Sequence, residues 1–147
     1  MYLELNEDSQ SCAYDKNSLG KYVDLIKHEN YRIVVVCVGI NDIKYIWDHY
    51  SLPTGDNCVI LVAARLKKVV KEVFRVAVDE FVLFISAEDT DAFKRLDEAL
   101  RLIPTLYFES GKSILEINVG RSDFGETCEI ERLLEQSTDR MKRGNKL

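Results

Sequence analysis

The sequence predicts an α+β domain in which helices pack over an antiparallel-containing sheet. Segments with helical apolar spacing alternate with short β-branched segments, which is typical of mixed folds. Two pairs of the strand-like segments are separated by short polar turns, as in β-hairpins. Residues 31–39, YRIVVVCVG, are almost wholly apolar, which favours a central strand covered on both faces. After a first helix, the predicted order of elements is βααββαββα.

The first half of the chain is predicted to contain three helices around one strand. The first helix has its apolar residues on one face, with Asn17 or Ser18 as its cap. The segment SLPTGD connects the second and third helices, and the third is apolar and ends in lysines, as a buried helix with a cationic C-terminus would. The predicted ranges are a helix at 18–29, a strand at 31–39, a helix at 40–50 and a helix at 58–70.

The second half is predicted to form two hairpins and two helices. The first hairpin brackets the two carboxylates Asp79 and Glu80, and the second turns around Gly111. The helix between them is opened by acids and closed by Pro104. The predicted ranges are strands at 73–78 and 81–86, a helix at 88–103, strands at 105–110 and 113–120, and a helix at 128–143.

Composition limits the classes of function. With 147 residues, of which 46% are hydrophobic, the chain is predicted to be a single domain spanning 1–147, with a partly irregular segment at 1–16. Its net charge of -5 argues against nucleic-acid partners. Short apolar runs and a polar N-terminus predict a cytoplasmic protein without membrane spans. The cysteines are isolated, and Cys37 and Cys58 are predicted to be buried thiols.

Four segments, in the expected order and spacing, carry a family resemblance. GINDIKYIWDHYSLPTGD (39–56) aligns without a gap to D-I-D-x-F-K-x-I-N-D-x-x-G-H-x-x-G-D, and RVAVDEF (75–81) stands where the family has R-x-G-G-D/E-E-F. DSQSCAYDK (8–16) is similar to D-x-L-T-G-L-x-N-R, and LLEQSTDRMKRGNK (133–146) to A-D-x-A-L-Y-x-A-K-x-x-G-R-N. The chain therefore resembles a GGDEF domain of the diguanylate cyclase family, as a degenerate member with AVDEF in place of GGDEF.

The resemblance implies a nucleotidyl-cyclase or polymerase-palm-like (ferredoxin-like) fold, with a central antiparallel sheet flanked by helices. In this family two domains, each carrying GTP and Mg²⁺, face each other and join their nucleotides into cyclic di-GMP. Phosphoryl transfer of this kind depends mainly on positioning and on neutralisation of charge by metals. Replacement of the residues that do either is therefore expected to lower activity strongly.

The resemblance places the metal ligands at Gly39, at the backbone carbonyl of Ile40 and at Asp79. Gly39 has no side chain, so one anionic ligand is missing. Mg²⁺ requires a near-octahedral oxygen shell and releases water reluctantly. We therefore interpret Asp79 and Glu80 as an inactive remnant of the catalytic signature, with Mg²⁺ as a cofactor only where nucleotide binds.

The resemblance places guanine recognition at Trp47 and Asp56. Asp56 keeps the carboxylate, but Trp47 replaces an asparagine and has one N–H donor where the amide has a donor and an acceptor. The favoured interpretation is that the indole fills or covers a vacant pocket. The alternative is that a purine stacks on Trp47.

The phosphate-binding part of the signature has also changed. Ala77 and Val78 replace two glycines that allow close approach of the backbone to phosphates, and a β-branched valine resists positive φ. The hairpin turn is therefore expected to have been rebuilt. Arg75 and Lys142 lie near positions where the family has basic groups and are candidate phosphate ligands.

These losses predict a non-catalytic signalling domain in cyclic di-GMP pathways. It would act as a regulatory or interaction module, with other GGDEF, EAL or sensory domains or a second copy as partners, and residual binding of GTP stays open. The alternative is a weak or altered diguanylate cyclase that makes cyclic di-GMP from two GTP through Asp79, Glu80 and Asp56. A third hypothesis is a purely structural dimerisation unit.

Overall fold

The computed structural model describes residues 4–27, 32–105, 107–108, 112–113, 115–123 and 130–143. Within these residues, no helix has both the length and the apolar character needed to cross a membrane. The elements in chain order are α1 (Lys16–Ile26), β1 (Ile33–Ile40), α2 (Ile43–His49), α3 (Leu52–Lys67), β2 (Val73–Ala77), β3 (Glu80–Ser86), α4 (Thr90–Leu102), a 3-10 turn (Ile103–Thr105), β4 (Tyr107–Phe108), β5 (Lys112–Ser113), β6 (Ile117–Asp123) and α5 (Ile130–Lys142).

Four strands form the central sheet, in the order β2-β3-β1-β6, and all three pairings are antiparallel. β1 lies inside the sheet between β3 and β6, and all eight of its residues are buried. A strand covered on both faces needs apolar side chains on both, which is why its sequence shows no alternation. The predicted α+β class with an antiparallel sheet is confirmed.

The sheet separates two apolar cores. Successive side chains of a strand point to opposite faces, so Val34, Val36 and Val38 join one buried cluster while Val35 and Cys37 join the other. The first cluster includes residues of α3 and α4, and the second includes residues of α1 and α5. Helices therefore cover both faces of the sheet. Gly39 follows Cys37 by two positions and shares the face of α1 and α5.

The structure corrects the predicted cap of the first helix. The cap of α1 is Asp15, whose carboxylate accepts a hydrogen bond from the Ser18 N–H at 2.8 Å, so neither Asn17 nor Ser18 caps this helix. The predicted end of α1 at 29 lies outside the described residues, as do residues 128 and 129 of the predicted last helix. Pro104 lies within the 3-10 turn that follows α4.

α3 begins six residues earlier than predicted, at Leu52. The Ser51 hydroxyl accepts a hydrogen bond from the Thr54 N–H at 3.1 Å, and Pro53 occupies the first turn, where no N–H is needed. The segment SLPTGD is therefore a cap and the first turn of a helix rather than a connection. This shift places Gly55 and Asp56 on α3.

The second predicted hairpin is only partly correct. β4 and β5 pair with each other in a separate two-stranded sheet, and Gly111 lies outside the described residues. The predicted strand 113–120 is divided, because its second half belongs to β6, which pairs with β1 in the central sheet. β6 thereby completes the four-stranded order.

The thiols follow the sequence prediction, since Cys37 and Cys58 are buried and free. Burial raises the pKa of the Cys58 thiol to about 11 and also raises the pKa of Cys37. Both are therefore protonated core side chains near neutral pH.

Cys12 is strained, and its replacement by glycine should stabilise the domain. Cys12 is exposed with φ 62°, a left-handed conformation that costs an L-residue about 1–2 kcal/mol. It stands where the motif D-x-L-T-G-L-x-N-R has glycine. We expect Cys12→Gly to raise the free energy of unfolding by about 1 kcal/mol in urea titrations. Cys12→Ser keeps the strain and should show no gain; an equal gain in both variants would contradict this explanation.

Candidate functional site

The end of β1 and the β2–β3 turn lie side by side. Gly39 is opposite Glu80 in the sheet register, and the Ile40 N–H donates to the Asp79 carbonyl oxygen at 2.8 Å. Antiparallel pairing thus brings together residues 39 and 41 positions apart in the chain. The structure places Gly39 and Ile40 at the end of β1, beside Asp79 and Glu80 where β3 begins, with Asp79 and Glu80 partly exposed.

The face of the sheet at Gly39 is occupied by Met141 of α5. A Cβ added to Gly39 would lie 3.1 Å from the Met141 Sδ and 3.6 Å from its Cγ. Met141 is only 4% exposed and belongs to the core of α1 and α5. A buried thioether therefore packs where a side chain at position 39 would begin.

The indole of Trp47 lies on α3 at the position of Gly55. A Cβ on Gly55 would overlap the Trp47 Cδ1 and Nε1 atoms, so the absence of a side chain there admits the ring. The Trp47 Nε1–H donates to the Asp56 Oδ1 at 3.3 Å. Trp47 is partly buried and packs against the core of α3 and α4. The two positions implied in base recognition therefore contact each other.

Arg75 joins the N-terminal segment to the hairpin. Its Nη1 donates to the Asp8 Oδ2 at 2.9 Å and to the Gln10 Oε1 at 2.7 Å, while its Nη2 donates to the Val78 carbonyl oxygen at 2.7 Å. The Arg75 side chain is 10% exposed. We call the contacts of the Arg75 guanidinium with Asp8, Gln10 and Val78 the Asp8 clamp. Beside it, the Tyr14 N–H donates to the Val73 oxygen and the Arg75 N–H donates to the Tyr14 oxygen. Its guanidinium is thus already engaged within the domain.

The Asp8 carboxyl should make the stability contributed by the Asp8 clamp depend on pH. Burial acts to raise its pKa, but hydrogen bonds from the Ser11 N–H and from Arg75 outweigh this effect, so the pKa lies below the ordinary 3.8. The ionised form thus stabilises the fold above about pH 4, and this contribution is lost as the pH falls through the lowered pKa. We expect Asp8→Asn to cost about 1–3 kcal/mol at pH 7, because Arg75 loses its charged partner.

The measurement is urea unfolding between pH 7 and pH 2. The two proteins should converge in stability at the acid end, where the side chain at position 8 is uncharged in both. Asp24→Asn is a matched control, because Asp24 is 73% exposed and pairs with Lys27 on the surface. A loss for Asp8→Asn that is independent of pH would contradict the assignment.

The other candidate positions lie at the surface. Val78 is 51% exposed at the turn, and the ladder between β2 and β3 shifts register between Arg75 and Ala77. Among the described non-glycine residues only Cys12 and Asp42 have positive φ, so the turn runs through Val78 and Asp79 without that conformation. Lys142 is the exposed last residue of α5.

Comparison with known proteins assigns the family. The family model described as Diguanylate cyclase, GGDEF domain, matches residues 13–146. The chain belongs to the GGDEF family. Among curated proteins, none matches this GGDEF sequence.

Solved GGDEF structures share the fold at low sequence identity. A diguanylate cyclase/phosphodiesterase from Caldicellulosiruptor saccharolyticus is similar with a TM-score of 0.75 and 17% identity, covering 94% of this chain and 85% of that one. A sensory box/GGDEF family protein from Caulobacter crescentus gives 0.74 and 18%, covering 94% and 96%. The coiled coil and GGDEF domain of DgcB from Caulobacter crescentus, in complex with c-di-GMP, gives 0.75 and 15%, covering 94% and 81%. The palm-like fold is thereby confirmed.

The residues of this GGDEF domain do not fit a bound Mg²⁺. Gly39 supplies no side-chain oxygen, and the apolar Met141 side chain packs against it. Among the described residues, no group of three or more His, Cys, Asp or Glu side chains is arranged to hold a metal. Mg²⁺ prefers several oxygen ligands in near-octahedral geometry. Asp79 and the Ile40 carbonyl are left without the partner that the family motif provides.

Sequence reasoning missed Met141 and the Asp8 clamp. LLEQSTDRMKRGNK can be set against A-D-x-A-L-Y-x-A-K-x-x-G-R-N without a gap, and Met141 then stands at the lysine of the motif. That alignment would have pointed to Met141 rather than to Lys142. The pairing of Arg75 with Asp8 spans 67 positions, and no local pattern indicates it.

Proposed function

We propose that this GGDEF domain is a non-catalytic signalling module of cyclic di-GMP pathways. The contact of the Trp47 indole with Asp56 and Gly55 carries the proposal, because the chain's own side chain takes the acceptor and the space that a guanine would use. The packing of Met141 against Gly39 supports it independently on the metal side. Asp79 and Glu80 then remain as surface carboxylates of the turn.

Its role is regulation through contact with other domains. GGDEF, EAL or sensory domains, or a second copy of the chain, are the proposed partners. A cytoplasmic location is part of the proposal, and the free Cys12, Cys37 and Cys58 thiols suit a reducing compartment.

The deciding experiment incubates the purified protein with GTP and either Mg²⁺ or Mn²⁺ and quantifies cyclic di-GMP by mass spectrometry. We expect none above the level of a protein-free blank. Product that increases with protein concentration, and that Asp79→Asn removes, would overturn the proposal in favour of a weak cyclase.

A binding titration distinguishes a nucleotide sensor from a scaffold. Trp47 is the sole tryptophan, so its fluorescence reports on displacement of the indole from Asp56. GTP, ATP and cyclic di-GMP are titrated in turn, with Asp56→Ala as the control for site-specific binding. Saturable binding that Asp56→Ala abolishes would support a sensor; no response to any of the three would support a scaffold.

A further inference from the structure

A cleft of about 420 Å³ lies between α2 and the segment that leads into β6. Its volume is within the range of small-molecule sites. Neither Trp47 nor Asp56 lines it, and Asp79 does not line it either, so its lining differs from the side chains implied in base and metal binding. Two tyrosines, two carboxylates and an amide contribute to its lining: Tyr45, Tyr50, Asp42, Glu116 and Asn41.

The two tyrosines offer aromatic surface to a ligand. Tyr45 is 54% exposed and Tyr50 is 37% exposed, although both are large and largely apolar. Tyr45 stacks on His49 with the ring centroids 3.7 Å apart and 17° between the planes, and His49 does not line the cleft. The Tyr45 ring is therefore held from outside the cleft. Aromatic faces in such positions attract cations.

The charge of the cleft is negative. Asp42 and Glu116 line it, and none of the described residues that line it is basic. Asp42 precedes α2, yet its side chain makes no capping hydrogen bond. Its backbone is left-handed, with φ 53°, which aspartate tolerates better than most residues. Its carboxylate is thus not engaged by the helix it precedes.

Hydrogen bonds hold the two walls of the cleft together. The Asn41 N–H donates to the Glu116 carbonyl oxygen at 2.8 Å, and the Asn41 side-chain amide donates to the Asn118 Oδ1 at 3.0 Å. These bonds tie the chain before α2 to the start of β6. A site with fixed walls loses little entropy when a ligand binds.

We propose that this cleft binds a small organic cation, an alkylammonium or guanidinium compound. Its charged group contacts the Tyr45 and Tyr50 rings and is neutralised by Asp42, and the Asn41 amide oxygen accepts a hydrogen bond from it. Phosphorylated ligands would be repelled by the carboxylates. This is a binding function different in ligand class from the nucleotide chemistry of the family.

The test titrates the protein with agmatine, a cationic probe, and with 1-pentanol, an uncharged control. Binding is detected by two-dimensional NMR of the backbone amides. We expect saturable shifts for agmatine around Asn41, Tyr45 and Glu116, and none for pentanol. Asp42→Asn removes the charge while asparagine keeps the left-handed backbone, and it should weaken binding about tenfold. The absence of saturable shifts, or equal shifts with pentanol, would overturn the proposal.

Matched variants separate the cleft from general electrostatics. Asp48→Asn removes an exposed carboxylate of α2 that does not line the cleft, and affinity should be unchanged. Tyr50→Phe should keep the affinity, whereas Tyr50→Leu should lower it about tenfold. Equal losses for Asp48→Asn and Asp42→Asn would contradict a specific site. Asp56→Ala should leave agmatine binding intact, so this proposal and the proposed signalling role fail independently.

Discussion

Replacement of Gly120 by alanine is expected to lower the free energy of unfolding by about 3 kcal/mol or more, or to prevent folding. A Cβ on Gly120 would overlap the carbonyl oxygen of Ser137 and the backbone nitrogen of Met141. Both atoms belong to the backbone of α5, so no side-chain rotation relieves the overlap. Glycine in a strand interior often marks such a close approach of another backbone.

The contacts between α5 and the sheet extend the expected effect of Gly120→Ala beyond position 120. The Ser122 hydroxyl donates to the Leu133 carbonyl oxygen, and the Cys37 Sγ lies 3.3 Å from the Ser137 Oγ. Displacement of the helix would break these contacts and also withdraw Met141 from Gly39. Loss of stability should therefore be accompanied by exposure of the core of α1 and α5.

Urea unfolding followed by circular dichroism measures the effect. Gly20→Ala is the control, because Gly20 is exposed on α1 and a Cβ there meets nothing within 4 Å. That variant should gain about 0.5–1 kcal/mol from the better helix propensity of alanine. Unchanged stability of Gly120→Ala would show that α5 is not packed as closely as described.

Replacement of Trp47 by asparagine is expected to raise the affinity for GTP at least about tenfold. The change removes the indole from Gly55, frees the Asp56 carboxylate and supplies an amide donor and acceptor. It also removes a side chain packed on the core, so a cost of about 1–3 kcal/mol in stability should accompany the gain.

Calorimetric titration with GTP measures the gain at a temperature where both proteins are folded. Trp47→Phe is the matched control, since phenylalanine keeps an aromatic ring in the space but provides no hydrogen bonds. Adding Asp56→Ala to Trp47→Asn should abolish the gain. If Trp47→Asn and Trp47→Phe bind GTP equally, the indole is not what limits access.

The local sequence pattern was sufficient to predict most helices and strands, but not which strands pair with each other. The apolar run of β1 and the acidic turn around Asp79 were evident, because burial on both faces and turn chemistry leave marks in adjacent residues. β6 was predicted as one strand of a hairpin, since nothing local indicates that it pairs with β1, whose residues lie 77 to 89 positions away in the chain. The early start of α3 depends on the cap at Ser51. The helical apolar spacing of the preceding segment, 40–50, obscures this signal in the sequence.

The candidate site shows the same division. The changes at Gly39, Trp47, Ala77 and Val78 can be read from motifs, because each motif fixes a residue type at a position. Which side chains fill the space at these positions depends on how the helices and strands pack together, and the motifs do not indicate this. The contact of Met141 with Gly39 depends on the docking of α5, and the cleft beside Tyr45 depends on the position of β6.

The contact of Met141 with Gly39 also bears on how a metal site could be engineered into this domain. An aspartate introduced at position 39 would meet a thioether whose Sδ lies 3.1 Å from the new Cβ. The Met141 side chain would have to shift by a few tenths of an ångström to admit this Cβ. A metal site engineered into this domain should therefore combine the carboxylate at position 39 with a smaller side chain at position 141, so that the two changes are made as a pair.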